Sequence, residues 1–165
     1  MKNIGLFGGN WIAELGSTTD VKLFFDCLNK AANDHPESNW SLLTDRLYRK
    51  YIRLHELDSA LELMNCMQGI FSKLPSSTID WTKQAIDGVN TKLNLNKSTL
   101  ADVFDRYFKG FTQCVESARA LYEDWGKFLG VRIVVADLPY FHMDKNRPLE
   151  DYESLRPSDT PFWLR

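Results

Sequence analysis

Ile4-Gly5-Leu6-Phe7-Gly8-Gly9-Asn10-Trp11-Ile12-Ala13-Glu14-Leu15 is the stretch that decides the fold class. Two short β-favouring runs, Ile4 to Phe7 and Trp11 to Leu15, flank Gly8-Gly9-Asn10, and glycine supplies the positive φ that a tight hairpin turn demands. The reading is a β-hairpin. The same glycines do not make a phosphate loop, because neither GxGxxG nor GxxxxGK[ST] is satisfied and a strand rather than a helix follows. Far along the chain, Val131-Arg132-Ile133-Val134-Val135-Ala136 is a β-branched run that reads as a strand with at least one buried face. It is expected to join the hairpin in a small antiparallel sheet.

Helical patterns fill the interval. Ser17, Thr18, Thr19 and Asp20 offer N-caps for a helix carrying Val21, Phe24, Phe25, Leu28 and Ala32, which ends near Asn33, before His35-Pro36. Trp40, Leu43, Leu47 and Tyr51 recur at three- and four-residue steps and predict a second helix from Asn39 or Ser41. A third runs from Leu57 to Leu74, with Leu57, Leu61, Met64 and Phe71 on one stripe and Pro75 as its stop. Residues 76–97 read as a short helix and a loop, and Ser98 then caps a long pattern from Leu100 to Trp125, with Gly110 as a candidate bend. The fold class is therefore α+β: the hairpin and a C-terminal strand packed against four or five predominantly long helices, in one domain over 1–165. Residues 137–165 hold four of the six prolines and read as an extended tail. Because that tail also carries Tyr140, Phe141, Tyr152, Phe162 and Trp163, it either wraps over its own domain or presents anchors to a partner.

Twenty basic and 22 acidic groups leave a formal charge of -2, and 44% of residues are hydrophobic. That balance excludes disorder and collagen-like repeats, and it lacks the basic excess from which a nucleic-acid binder draws most of its affinity. Direct nucleic-acid binding is not expected. Cys27, Cys66 and Cys114 form no CxxC pair and suit reduced thiols inside amphipathic helices. The opening apolar run is too short for a signal peptide, and no stretch approaches the ~20 apolar residues of a membrane span, so the expectation is a cytoplasmic protein with no membrane partner.

Chemistry-bearing motifs are few. His55-Glu56 begins like HExxH, but Ser59 stands where the second histidine belongs, and neither His35 nor His142 has a ligand at metal-binding spacing; no metal or cofactor is implied. No serine sits in GxSxG and no cysteine in a catalytic signature. A small enzyme would have to assemble its site from distant residues such as His55, Cys66 and Asp80. Arg46, Arg49, Lys50 and Arg53 fall at i, i+3, i+4 and i+7 on the second helix. This stripe is either an anion-, partner- or nucleic-acid-binding surface, or a face neutralised by Asp45, Glu56 or carboxylates elsewhere in the fold. Among five tryptophans, Trp163 beside Pro161 is the candidate exposed anchor.

The order Gly9-Asn10-Trp11-Ile12-Ala13-Glu14-Leu15-Gly16-Ser17, then Phe24-Phe25, a Leu47-Tyr48 helix, and a long helix ending Leu74-Pro75 before Ile79-Asp80-Trp81, resembles bacterial toxin-immunity proteins of the immunity protein 70 type. The resemblance covers the first half of the chain. Asp80 precedes Trp81 here, the reverse of the family's order, and the residues from Val131 onward have no counterpart in the pattern. What the resemblance implies is a cytoplasmic, non-catalytic protein that binds and neutralises a cognate toxin domain of a contact-dependent growth inhibition system. Such toxins are often nucleases, whose basic surfaces call for carboxylates beside aromatic anchors. Tyr140, Asp144, Glu150, Asp151, Tyr152, Glu153 and Trp163 are the partner-contact candidates on that reading, and the Arg46 to Arg53 stripe is the alternative for an acidic toxin surface.

Overall fold

The computed structural model describes residues 2–165. Gly9, at φ +58, reverses the chain between β1 (Asn3–Gly8) and β2 (Trp11–Ser17). With Gly first and Asn10 at negative φ, the two-residue loop follows the pattern of a type II′ turn. A Cβ on Gly9 would run into the Ser117 backbone, so the turn needs glycine for space as well as for φ. The third strand, β3 (Arg132–Val135), pairs antiparallel with the other side of β1, giving the order β2-β1-β3. The sequence-based sheet is thus the observed one, with the N-terminal strand at its centre. Between the pairs Ile4–Gly16 and Gly5–Glu14 the register shifts, and Leu15 is the extra residue of a bulge that turns β2 toward the first helix.

Ser17 caps α1 (Thr18–Asp34) in a reciprocal box with Asp20, as the sequence suggested. The second predicted helix is shorter and different in kind. Leu42–Leu47 is π-helical and regular structure ends at Arg49, leaving Tyr51 and Arg53 outside it. The cause is a distant pairing: Ile52 and Val131 exchange backbone hydrogen bonds at 2.8 and 3.3 Å, so the chain must leave the helix to reach β3. α2 (Leu57–Ser72) follows expectation, with Met64, Met67 and Phe71 buried. Residues 76–97 form two single-turn 3-10 segments and irregular loop, tied down where Thr91 Oγ and the Lys92 amide donate to the fully buried Asp20 carboxylate. The long pattern from Leu100 breaks once, at the buried Phe104, into α3 (Leu100–Val103) and α4 (Asp105–Trp125), and its cap is Thr99 rather than Ser98. Gly110 is not the break. It lies within α4, where a Cβ would stand 2.7 Å from that of Ala13, so it sets how closely helix and sheet approach.

Alternation along the strands gives the sheet two buried faces. Ile4, Leu6, Leu15, Ile133 and Val135 belong to the main core, shared with an aromatic cluster in which Phe24 stacks on Tyr107 at 4.5 Å and meets Phe104 edge-on at 5.3 Å. On the opposite face Phe7, Arg132 and Val134 are also buried, with Phe141 against Phe7 and Tyr152 against Arg132 from the C-terminal segment. That segment is not extended. It forms α5 (Tyr140–Lys145), α6 (Leu149–Glu153) and a final 3-10 turn, Phe162–Leu164. Pro139, Pro148 and Pro161 each stand immediately before one of these elements, where a missing N–H costs no hydrogen bond and the fixed φ favours helix entry. Prolines that read as breakers are starters here. Only α1, α2 and α4 are long, and the remaining helical elements span one or two turns.

Candidate partner-binding surface

Several tail residues that the sequence offered as partner contacts are spent on the fold. Trp163, expected as an exposed anchor, is 2% exposed: its ring meets Tyr48 at 5.7 Å and Phe25 at 6.1 Å, and its indole N–H donates to the Tyr48 carbonyl at 2.8 Å. Tyr152 is equally buried, set between the Arg132 guanidinium at 5.2 Å and Phe162 at 5.0 Å. Asp144 closes the edge of β3, accepting the Val135 amide at 2.8 Å and Arg147 at 3.2 Å. Tyr140, Glu150 and Asp151 remain exposed.

The cationic stripe and the acidic tail prove to be partners of each other. Arg46, 9% exposed, grips Glu153 with two hydrogen bonds of 3.0 and 2.6 Å and donates a third, at 3.1 Å, to the Tyr51 carbonyl. This fork-to-fork geometry is the strong form of an ion pair. Hydrogen bonds from Arg46 hold the Glu153 carboxyl down to about 2. Lys50 stands 3.9 Å from the same carboxylate, Arg49 pairs with Asp45 at 2.8 Å and also holds the Asp159 carbonyl, and Arg53 pairs with Glu56 at 2.9 Å. Burial pushes the Glu56 carboxyl up, but the hydrogen bonds from Arg53 outweigh it and leave it below the ordinary range. All four cations are therefore paired within the fold, on the three carboxylates Glu153, Asp45 and Glu56, and Arg46 and Arg49 clamp the tail. Their helical spacing is lost as well, since Lys50 and Arg53 lie beyond the helix.

What remains open on the tail is an apolar face that sequence reading found only in part. Tyr140 and Met143, one turn apart on α5, are 58% and 66% exposed, and Leu138 just before them is 69% exposed. Leu138 and Met143 escaped notice because the segment read as extended; the i, i+3 spacing after Pro139 was the available signal. Glu150 and Asp151, in the first turn of α6, bring carboxylates to the same segment. Arg132 was also missed as a charge. It is 1% exposed and makes no ion pair among the described residues; its guanidinium donates to the Lys145 and Arg147 carbonyls, at 2.7 and 3.3 Å, where α5 ends. A lone arginine inside a β-branched run was the hint.

No enzyme-like constellation assembles from the candidates. His55 precedes α2, whereas Cys66 lies about 14 Å along that helix from Leu57 at 1.5 Å per residue. Asp80 lines a different groove, beside Cys27. Burial pushes the Cys27 and Cys114 thiols up to about 12, which removes the thiolate at neutral pH. Cys66, although on the amphipathic helix α2, is exposed rather than buried. Among the described residues no group of three His, Cys, Asp or Glu could hold a metal ion, and no helix is long and apolar enough to cross a membrane. Comparison with known protein families, with curated proteins and with solved structures finds no match for the chain.

Proposed function

We propose that this chain is a cytoplasmic immunity protein that binds a cognate bacterial toxin domain, a nuclease, and neutralises it by covering its active site or substrate surface. The observation that carries the reading is the exposed Tyr140 and Met143 of α5 with Leu138 just before them, followed along the chain by Glu150 and Asp151. A stable domain that leaves large apolar side chains in water on one short helix has the composition of a binding hot spot, with an aromatic anchor and flanking carboxylates. A basic nuclease surface supplies the complementary charge. Occlusion needs no chemistry from the chain itself, only an interface of roughly 800 Å² per partner. The cationic stripe supports a nucleic-acid-binding alternative poorly, because its four cations are paired with three carboxylates of the fold and few counterions are left to release.

The test is a tagged pull-down of the full-length protein from its native bacterium at moderate salt, with the captured partner assayed for nuclease activity with and without it. One stoichiometric partner, silenced on binding, is expected. The doubly substituted Tyr140→Ala, Met143→Ala protein should then bind about tenfold to a hundredfold more weakly, with an unchanged melting temperature. Unaltered affinity would remove α5 from the interface, and a toxin that is expressed yet never captured would end the immunity reading.

A further inference from the structure

The two edges of the sheet are treated differently. At β3 the outer edge is closed at both ends and only Ile133 between them is open: Val131 pairs with Ile52, and the Val135 amide donates to Asp144. At β2 the outward backbone groups are open. Gly8 and Trp11 flank a two-residue loop and form its hydrogen-bonded pair, as do Leu6 and Ala13, so the backbone groups of Ile12 and Glu14 point away from β1. Among the described residues only Arg106 reaches any of them, with Nη1 at 3.5 Å from the Glu14 carbonyl, the limit of a hydrogen bond. The bulge at Leu15 ends this edge on one side and the turn ends it on the other. Alongside runs a groove of about 450 Å³ walled by Trp11, Ile12, Glu14, Arg106, Lys109 and Gln113. Its lining carries Glu14 and Asp105 against Arg106 and Lys109, so it is neutral as a whole, but the pairing within it is uneven. Lys109 has Asp105 at 2.8 Å and Glu14 has Lys92 at 3.9 Å, whereas Arg106 makes no ion pair among the described residues.

We propose that the outer edge of β2 docks an extended peptide segment of a partner, which adds a fourth strand through Ile12 and Glu14 and sets an aspartate or glutamate side chain against Arg106. Strand addition uses the open main-chain donors and acceptors for affinity and the groove for selectivity. An incoming carboxylate would draw Arg106 from its long contact with Glu14 into a charge-assisted pair. The half-exposed Trp11 ring gives the added strand an apolar wall. The site is separate from α5, and it stands or falls independently of the toxin reading.

Short random peptides displayed on phage, selected on the full-length protein, test it. Enriched sequences should alternate β-branched residues and carry Asp or Glu. A synthetic copy of the leading sequence should slow hydrogen exchange at the Ile12 and Glu14 amides. Replacing its acid with Lys should weaken binding about tenfold to a hundredfold, the scale of one charge-assisted hydrogen bond, and R106E should reverse that preference. I12P removes an outward N–H without breaking a bond to β1, is compatible with an edge strand, and should abolish binding while I12A, which trims the side chain and keeps the N–H, retains it and both keep the circular dichroism spectrum. The proposal is overturned by failure to enrich any sequence, by equal binding to R106E, or by exchange protection confined to other residues. Self-association that I12P abolishes would assign the edge to a second copy and overturn the peptide occupant.

Discussion

Glu153 couples the charge of the tail to the body of the protein, and its titration makes that coupling measurable. With the carboxyl held at about 2 against an ordinary value of 4.5, the unfolded chain takes up the proton first. The contribution of Glu153 is complete above about pH 4.5 and is lost as pH falls toward about 2. Thermal unfolding of wild type and E153Q should therefore differ most above pH 5 and converge near pH 2 to 3; a constant gap across that range would show that Arg46 is not acting through the charge. Trp163 anchors the same tail without charge. Its indole is fully packed, so W163A should cost about 3–5 kcal/mol in urea unfolding, and W163F, which keeps a ring but loses the bond to the Tyr48 carbonyl, about 1 kcal/mol beyond its packing change.

Elements whose determinants lie within a few residues could be read directly. Gly9 alone dictates the hairpin turn, Ser17 with Asp20 the start of α1, and Pro75 the region where α2 must have stopped. The β-branched density of 131 to 136 was enough for β3 as a strand with at least one buried face, and the fold buries both. Elements set by distant partners could not be read. The helix after Trp40 ends because Ile52 pairs with Val131, and nothing near Lys50 in the chain announces that pairing. For the same reason the candidate surface was misjudged: Arg46 and Glu153 lie 107 positions apart, and each looks like free surface charge until the fold joins them. Gly110 is the converse case, a glycine whose local reading was a bend and whose actual role is contact. G110V should force α4 away from Ala13 and destabilise the protein by about 1–3 kcal/mol, measured by urea unfolding, whereas an exposed helical glycine with open space around it, Gly69, should tolerate G69A with no loss.

At the scale of the whole molecule, the sheet is a thin middle layer whose integrity depends on cover from both sides. On the helical side the aromatic cluster around Phe24 is closed by contacts among α1, α2 and α4, and the tail touches it through Trp163 on Phe25. On the other side the cover is small: Phe141 meets Phe7 edge-on at 5.6 Å, and the buried Arg132, lying between Phe7 and Tyr152, is held by helix-end carbonyls instead of a carboxylate. A buried cation with no counter-charge gains from its hydrogen bonds only while α5 stays in place, so this layer is the one expected to open first. R132A removes the guanidinium and leaves the Lys145 and Arg147 carbonyls without their donor. Native-state hydrogen exchange of R132A should therefore show faster opening of the amides of 140 to 155 and of Val135, with the α1 amides near Leu28 much less affected. If both layers accelerate together, the tail and the helical core form one cooperative unit, and the ties from Arg46 to Glu153 and from Trp163 to Tyr48 are strong enough to make the tail part of the nucleus of stability rather than a cover laid upon it.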